Sequence, residues 1–416
     1  LRSLVGSEMC IRDRVMALVV LGLGALTAPV LHMELALPAD TTSNPDTTQR
    51  KAADLLSEGF GPGINGPFLV IVDGANANPD SAALQPYIQG QEGEEDEQKK
   101  AALSSFMYSV QRLNQVGGVK HAQLVGVSQD MKAAQIMVSP TTAPTDEATV
   151  GTASALRTAG AELEDATGAE IGMTGLTAVQ LDITERLEEA MGPYLAIVVG
   201  LAIFLLLAVF RSILVPLVAG LGFLLSVGGA FGLTVLVWQD GFTGLVPAPG
   251  PLISFMPIFL IGVTFGLAMD YQVFLVTRMR EHFSRFPQGS GGKYSKYNAN
   301  DEATIAGFTA GARVVTAAAI IMISVFVAFI SQPLPFIQIF GFALAAGVLF
   351  DAFLVRMSLV PATMFLMGHT TWWMPKWLDK LIPQLDIEGT ALEEEWERKH
   401  AAASREAEDK AAQPVE

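Results

Sequence analysis

PYLAIVVGLAIFLLLAVFRSILVPLVAGLGFLLSVGGAFGLTVLVW, residues Pro193–Trp238, carries one charge, Arg211, in 46 residues. The Arg211–Ser212 dipeptide divides it into 193–210 and 213–238, each long enough as a helix to cross about 30 Å of hydrocarbon. Working outward, the same hydropathy returns at 252–277, 314–330 and 336–357, the last with an interfacial extension to 367, and at 15–31 near the start. Pro333 and Pro335 punctuate the last hairpin, since the residue before a proline leaves the helical region. A soluble globular protein is excluded. The expected fold is an α-helical integral membrane protein with one span, an inserted outer domain, and then a five-helix bundle over 193–367.

Composition supports the division. Of 416 residues, 50% are apolar and 16% charged, and the net charge is −16. The acid is regional: residues 32–190 hold 23 acidic against 9 basic side chains, and 384–416 hold 10 against 4. A chain with no basic face is not expected to bind nucleic acid. The single Cys10 allows no internal disulfide. The five histidines (His32, His121, His282, His369 and His400) show no ligand spacing, so no metal site is expected. There is no nucleotide fingerprint and no nucleophile–base arrangement, which leaves neither a cofactor nor an enzyme to expect. Leu1–Arg14 (LRSLVGSEMCIRDR) lacks a starting Met and resembles an adapter-derived leader, so the expectation is a fragment of a longer protein. Val15–Leu31 is read as a span, because no clear small-x-small cleavage site precedes the polar stretch.

The bases set the orientation. Arg211, Arg278, Arg280, Arg285, Lys293, Lys296 and Arg313 fall in two connections, and Arg356, Lys376 and Lys380 follow the last. Connections 239–251 and 331–335 contain no Lys or Arg. By the positive-inside rule both termini are expected in the cytoplasm and 32–192 outside, in a bacterial plasma membrane. The segment 278–312 is expected to be a cytoplasmic linker, Gly/Ser-rich over 288–300, with a short amphipathic helix capped by Asn300 or Asp301. The stretch 384–416 is expected to be an acidic cytoplasmic tail.

The outer segment has its own order. Gly66–Asp73 (GPFLVIVD) reads as a strand, and a charged run at 91–100 leads a helix to about Val116. Val119–Val127 and Ala133–Ser139 read as two strands, Asp146–Asp165 as a helix capped by Thr145, and Ala169–Thr174 as a last strand. The order β-α-β-β-α-β is that of a ferredoxin-like α+β unit. A polar helix over 180–190 then leads into the second span.

Few residues in the spans carry chemistry. Asp270 lies 13 residues beyond Pro257, about 20 Å along a helix at 1.5 Å per residue. An ionised carboxylate there costs at least about 2.5–3.5 kcal/mol, so the expectation is a group that takes up and releases a proton. Tyr271 beside it is placed to donate to a carboxylate on a neighbouring helix. The bland alternative is an aspartate that merely pins helices together. Asp351 and Arg356, five residues apart, read as a structural ion pair or a snorkelling arginine within reach of headgroup water. Thr264, Thr316 and Ser324 are candidates for a supporting polar path, although hydroxyls in membrane helices routinely bond back to their own carbonyls. Gly262 and Gly266 form a small-xxx-small pair for close helix packing, as do Gly228 and Gly232, and Gly341 and Ala345.

GVTFGLAMDYQVFLVTRMREHF (Gly262–Phe283) resembles the signature of the MMPL family, within the RND superfamily of proton-driven transporters. The stretch FGFALAAGVLFDAFLVRMSLVPATMFLMG, followed by WWMPKWLDKLIP, resembles the end of that family's domain. The likeness covers about residues 15–383 and points to the C-terminal half of a two-half transporter. It implies that 32–192 is a porter-like domain and that Asp270 and Tyr271 form a proton relay facing an equivalent pair. It also implies a missing N-terminal half, or a second copy, as partner. The function so implied is proton-driven export of lipids or other hydrophobic molecules. The alternatives are an accessory component of protein translocation and a non-transporting lipid- or sterol-sensing protein.

Overall fold

The computed structural model describes residues 2–90, 96–244, 246–289 and 297–381. The tail over 384–416, the linker residues 290–296 and the charged residues 91–95 lie outside the described residues. In chain order the main elements begin with α1 (Arg2–Thr27), α2 (Thr48–Phe60), β1 (Phe68–Asp73), α3 (Glu97–Leu113), β2 (Val119–Val127) and β3 (Ala133–Pro140). They continue with α4 (Glu147–Thr167), β4 (Glu170–Thr174), α5 (Leu176–Phe210), α6 (Leu214–Thr234) and α7 (Met256–Arg285). The last are α8 (Ala299–Ile330), α9 (Pro335–Leu349) and α10 (Val360–Met367). Among the described residues six helical stretches are long and apolar enough to cross a membrane: Asp13–His32, Leu176–Phe210, Leu214–Gln239, Met256–Arg285, Ala299–Ile330 and Pro335–Met367.

The four strands form one antiparallel sheet in the order β2-β3-β1-β4. That order, with α3 and α4 as the connections, is a split β-α-β unit. Alternation decides which face is covered. Phe68, Val70 and Val72 are buried while Leu69 and Ile71 are only half-buried. Against the buried face lie Ala102, Phe106 and Leu113 of α3 and Ala153, Leu156 and Leu163 of α4. Each large apolar side chain buried there contributes about 1.5–3 kcal/mol. The helix ends are chemically defined. Asp96 accepts from the amides of Gln98 and Lys99 to start α3, and Gly168, at φ 74°, ends α4 in the left-handed conformation.

From β4 the chain turns at Gly175 straight into α5, a single helix of 35 residues. The second span was expected to begin at Pro193, but Pro193 lies inside α5. Seventeen residues of α5 precede Pro193, about 26 Å of helix at 1.5 Å per residue, and join sheet domain and bundle in one continuous element.

In the bundle, α6 and the α9–α10 stretch are the most enclosed, while α1, α5 and α8 lie outside them. Small residues let backbones meet. A Cβ on Gly232 would stand 1.6 Å from the Leu26 carbonyl oxygen, so α1 and α6 touch main chain to side-chain-free main chain. Gly307 of α8 is met in the same way by the backbone of Met279 on α7.

Other boundaries also differ from the sequence reading. Leu252–Ile253 is a short strand, not the start of a helix; it pairs in parallel with Leu35–Ala36, and α7 begins at Met256 with Pro257 in its first turn. Among the described residues there is no separate amphipathic helix in the connection between α7 and α8, because α7 runs on to Arg285 and α8 is continuous from Ala299. The cap of α8 is Asn298, which accepts from Asp301 N at 2.8 Å, rather than Asn300 or Asp301. Asn300 is instead buried and donates to Met364 O at 2.9 Å. Finally, the stretch Phe350–Leu359 between α9 and α10 is π-helical.

Candidate functional site

A run of hydrophobic helices leaves its few polar side chains conspicuous, and the bundle gathers three of them. Arg356 Nε donates to Asp351 Oδ2 at 2.5 Å, and its terminal nitrogen donates to Gln272 Oε1 of α7 at 3.1 Å. The side chains of Arg356 and Asp351 are 3% and 7% exposed, and Gln272 is equally enclosed. Asp351 Oδ1 and Gln272 Nε2 are buried without a hydrogen-bond partner among the described residues. A buried polar group left unmatched costs about 1–3 kcal/mol, so the network holds unspent bonding capacity.

The site departs from the sequence reading in its depth. Asp351 and Arg356 were expected within reach of headgroup water, yet they are buried at the level of Gln272, two residues and so about 3 Å along the axis from Asp270. The reason is geometric. α7 and α9 run in the same direction, and Asp351 lies 16 residues beyond Pro335 much as Gln272 lies 15 beyond Pro257. The π-helical turns widen the helix between Asp351 and Arg356, a deviation from α geometry that recurs at functional positions. Gln272 was missed by the sequence reading. Its signal was an amide in the middle of an apolar span, two residues from the acid already singled out.

Asp270 and Gln272 differ by two residues, about 200° around the helix, so they face opposite ways. Gln272 turns inward to the ion pair. Asp270 is exposed and makes no hydrogen bond or ion pair with the described residues. Tyr271, half-buried between them, lies within electrostatic reach of Asp270, Arg356 and Asp351. The exposed stripe on α7 that carries Asp270 also carries Phe259, Gly266 and Phe274, at spacings of seven, four and four. Gly262 and Gly266 part company on this helix. Gly262 is approached by the Tyr194 hydroxyl of α5, 2.9 Å from where a Cβ would stand, whereas Gly266 has open space around it.

The hydroxyls do not assemble into a path. Thr264 donates to Leu260 O, Thr316 to Ala312 O at 2.7 Å and Ser324 to Ile320 O at 2.7 Å, each within its own helix. Thr316 alone reaches further, to the sulfur of Met357 at 3.8 Å, beside Arg356. Among the described residues no group of three His, Cys, Asp or Glu side chains is gathered to hold a metal ion.

These features define a mostly helical, multi-pass membrane protein with a small α+β sheet domain. The chain belongs to the MMPL family, whose model matches residues 41–406. It is 41% identical over 373 residues to the membrane protein YdfJ of Bacillus subtilis (strain 168), covering 89% of this chain and 46% of the relative. It is 31% identical over 368 residues to the mycolic acid-containing lipids exporter MmpL11 of Mycolicibacterium smegmatis, covering 87% of this chain and 35% of the relative. A shorter match, 32% over 233 residues, is to the trehalose monomycolate exporter MmpL3 of Mycobacterium tuberculosis, covering 56% and 24%. The chain thus spans less than half the length of these relatives.

Proposed function

We propose that the chain is one unit of a proton-driven exporter of lipids or other hydrophobic molecules in a bacterial inner membrane, with both termini cytoplasmic and the sheet domain outside. The observation that carries this reading is Asp270: an unpaired carboxylate on an exposed stripe of a spanning helix, one residue from a tyrosine and back to back with a buried ion pair. Left facing lipid while ionised, it would cost at least about 2.5–3.5 kcal/mol. A second unit laid against the Gly266–Asp270 stripe, whether another half or another copy, removes that exposure and brings a second carboxylate within reach of Tyr271. Export is the activity named for two of the relatives, and it comes to this chain as part of the proposal.

The steps follow from the charges. Protonation of Asp270 cancels a charge at the interface between units, and release restores it, so the two states favour different helix positions. Gln272 rides on the opposite face of α7 and holds Arg356, so a rotation of α7 strains the Arg356–Asp351–Gln272 network. α5 is the continuous element through which bundle movement reaches the sheet domain. The test is export of a fluorescent lipid from proteoliposomes holding the chain beside a second unit. A pH gradient should drive export, and a protonophore or Asp270→Asn should stop it. Gradient-independent export would reject proton coupling.

A further inference from the structure

Where α7 leaves the bundle, a second cluster of charge has no role in the mechanism above. Arg278, Glu281, His282 and Arg285 follow one another at i, i+3, i+4 and i+7, and so form a single stripe on the last turns of α7. The stripe borders a groove of about 200 Å³ whose opposite wall, on α8, includes Gly307 and Ala310. Small residues there bring no charge of their own. The acids nearby are already engaged. Glu281 pairs with Arg278 at 3.2 Å, and Glu302, 1% exposed, stands 3.9 Å from His282 Nε2. His282 Nδ1 is buried with no hydrogen-bond partner among the described residues. The Arg278 guanidinium is held 5.7 Å from the centre of the Phe274 ring, and Arg285 is exposed. One turn beyond Ala310 on α8, Arg313 is exposed too, and next to it Val314 shows 55% of its surface.

The groove thus has a basic rim at the end of the apolar part of α7, and just beyond its lining, toward the apolar part of the two helices, Phe274 and Val314 are exposed. That combination matches one molecule at once, a phosphodiester with acyl chains. We propose that the Arg278–His282–Arg285 groove binds the headgroup of an anionic phospholipid in the leaflet at the C-terminal end of α7. Arg278 and Arg285 would donate to the phosphate oxygens, Arg313 would border the glycerol level, and Phe274 and Val314 would meet the chains. Basic pockets between spanning helices are a general means of holding such headgroups. The carbonyl end of α7 disfavours an anion, so the attraction rests on the side chains. The inference requires only that α7 and α8 span a bilayer, and it is independent of the transport reading.

The experiment uses the full chain in nanodiscs of phosphatidylcholine doped with phosphatidylglycerol, with no gradient and no substrate. Native mass spectrometry should show phosphatidylglycerol retained under activation that strips phosphatidylcholine. In the Arg278→Gln/Arg285→Gln variant retention should fall several-fold, while Arg186→Gln, on α5 before Pro193, should change nothing. Equal retention by the double variant and the unmodified chain would overturn the site. If the double variant does not fold, Arg313→Gln carries the same comparison, and unchanged retention there would overturn the site. Displacement of the lipid by inorganic phosphate would mean a free-anion site and overturn the lipid assignment. Because neither protons nor export enter the readout, failure here leaves the transporter proposal standing, and the reverse also holds.

Discussion

Removing one partner of the Arg356–Asp351 pair should be among the costliest single changes to the bundle. In Asp351→Leu the guanidinium keeps only Gln272 Oε1, at 3.1 Å, in a setting where its side chain is 3% exposed. Leaving one charge of a buried pair uncompensated costs about 3–5 kcal/mol. Arg356→Met should cost a similar amount, since it strands the carboxylate. The double variant should return to within about 1 kcal/mol of the unmodified chain, because a buried pair traded for apolar side chains of similar volume is often neutral. The coupling between the two positions is then several kcal/mol, well above the roughly 0.3–0.5 kcal/mol within which independent sites add. Reversible unfolding of the full chain by SDS titration in mixed micelles, followed by helicity, measures all four corners of the cycle. The exposed Arg186–Glu189 pair, with side chains 82% and 60% exposed, is the control and should contribute nothing beyond about 1 kcal/mol. Single losses below about 1 kcal/mol, or a double loss equal to the sum, would refute the reasoning and return the pair to headgroup water.

Three further outcomes are expected. Gly232→Ala must push α6 away from the Leu26 carbonyl oxygen and should cost about 1–3 kcal/mol in the same titration; no change would mean that the helices are not in main-chain contact. Residues 40–180, which contain all four strands and both covering helices, should fold alone and unfold cooperatively by circular dichroism; a gradual, non-cooperative melt would show that the sheet depends on the bundle. In single-cysteine variants on a Cys10→Ser background, an impermeant reagent applied to intact cells should label positions in 40–170 and 241–249 but not 286–300. Labelling of 286–300 would reverse the orientation.

How much of this was legible depends on the scale of the signal. Spans announce themselves through runs of about 17 or more mostly apolar residues, and the alternation Phe68-Leu69-Val70-Ile71-Val72 marks a strand with one covered face. Both signals survive any tertiary arrangement. What escaped were features set by a neighbour. Leu252–Ile253 is as apolar as the helix after it and becomes a strand only because Leu35–Ala36 lies alongside. Pro193 looks like a helix start, yet the helix was already under way from Leu176. The spacing of Asp351 and Arg356 allowed the ion pair to be read, but its burial was missed, because an arginine near the end of a span is ordinarily a snorkelling one and nothing local announces Gln272 of α7 as its further partner. Asp270 could be singled out from the sequence, but its outward direction depends on which face of α7 the other helices cover.

The central claim is that Asp270 carries the proton, and the most direct measurement is the proton itself. Proteoliposomes holding the chain beside the proposed second unit, with a pH-sensitive dye trapped inside, report proton movement when a hydrophobic substrate is supplied. The account predicts a substrate-dependent pH change in the unmodified protein and a smaller one in Tyr271→Phe, which removes a hydrogen bond worth about 0.5–1.5 kcal/mol. It predicts none in Asp270→Asn, although that variant should insert and fold normally. Substrate-linked proton movement of normal size in Asp270→Asn would contradict the account and leave Asp270 a packing residue.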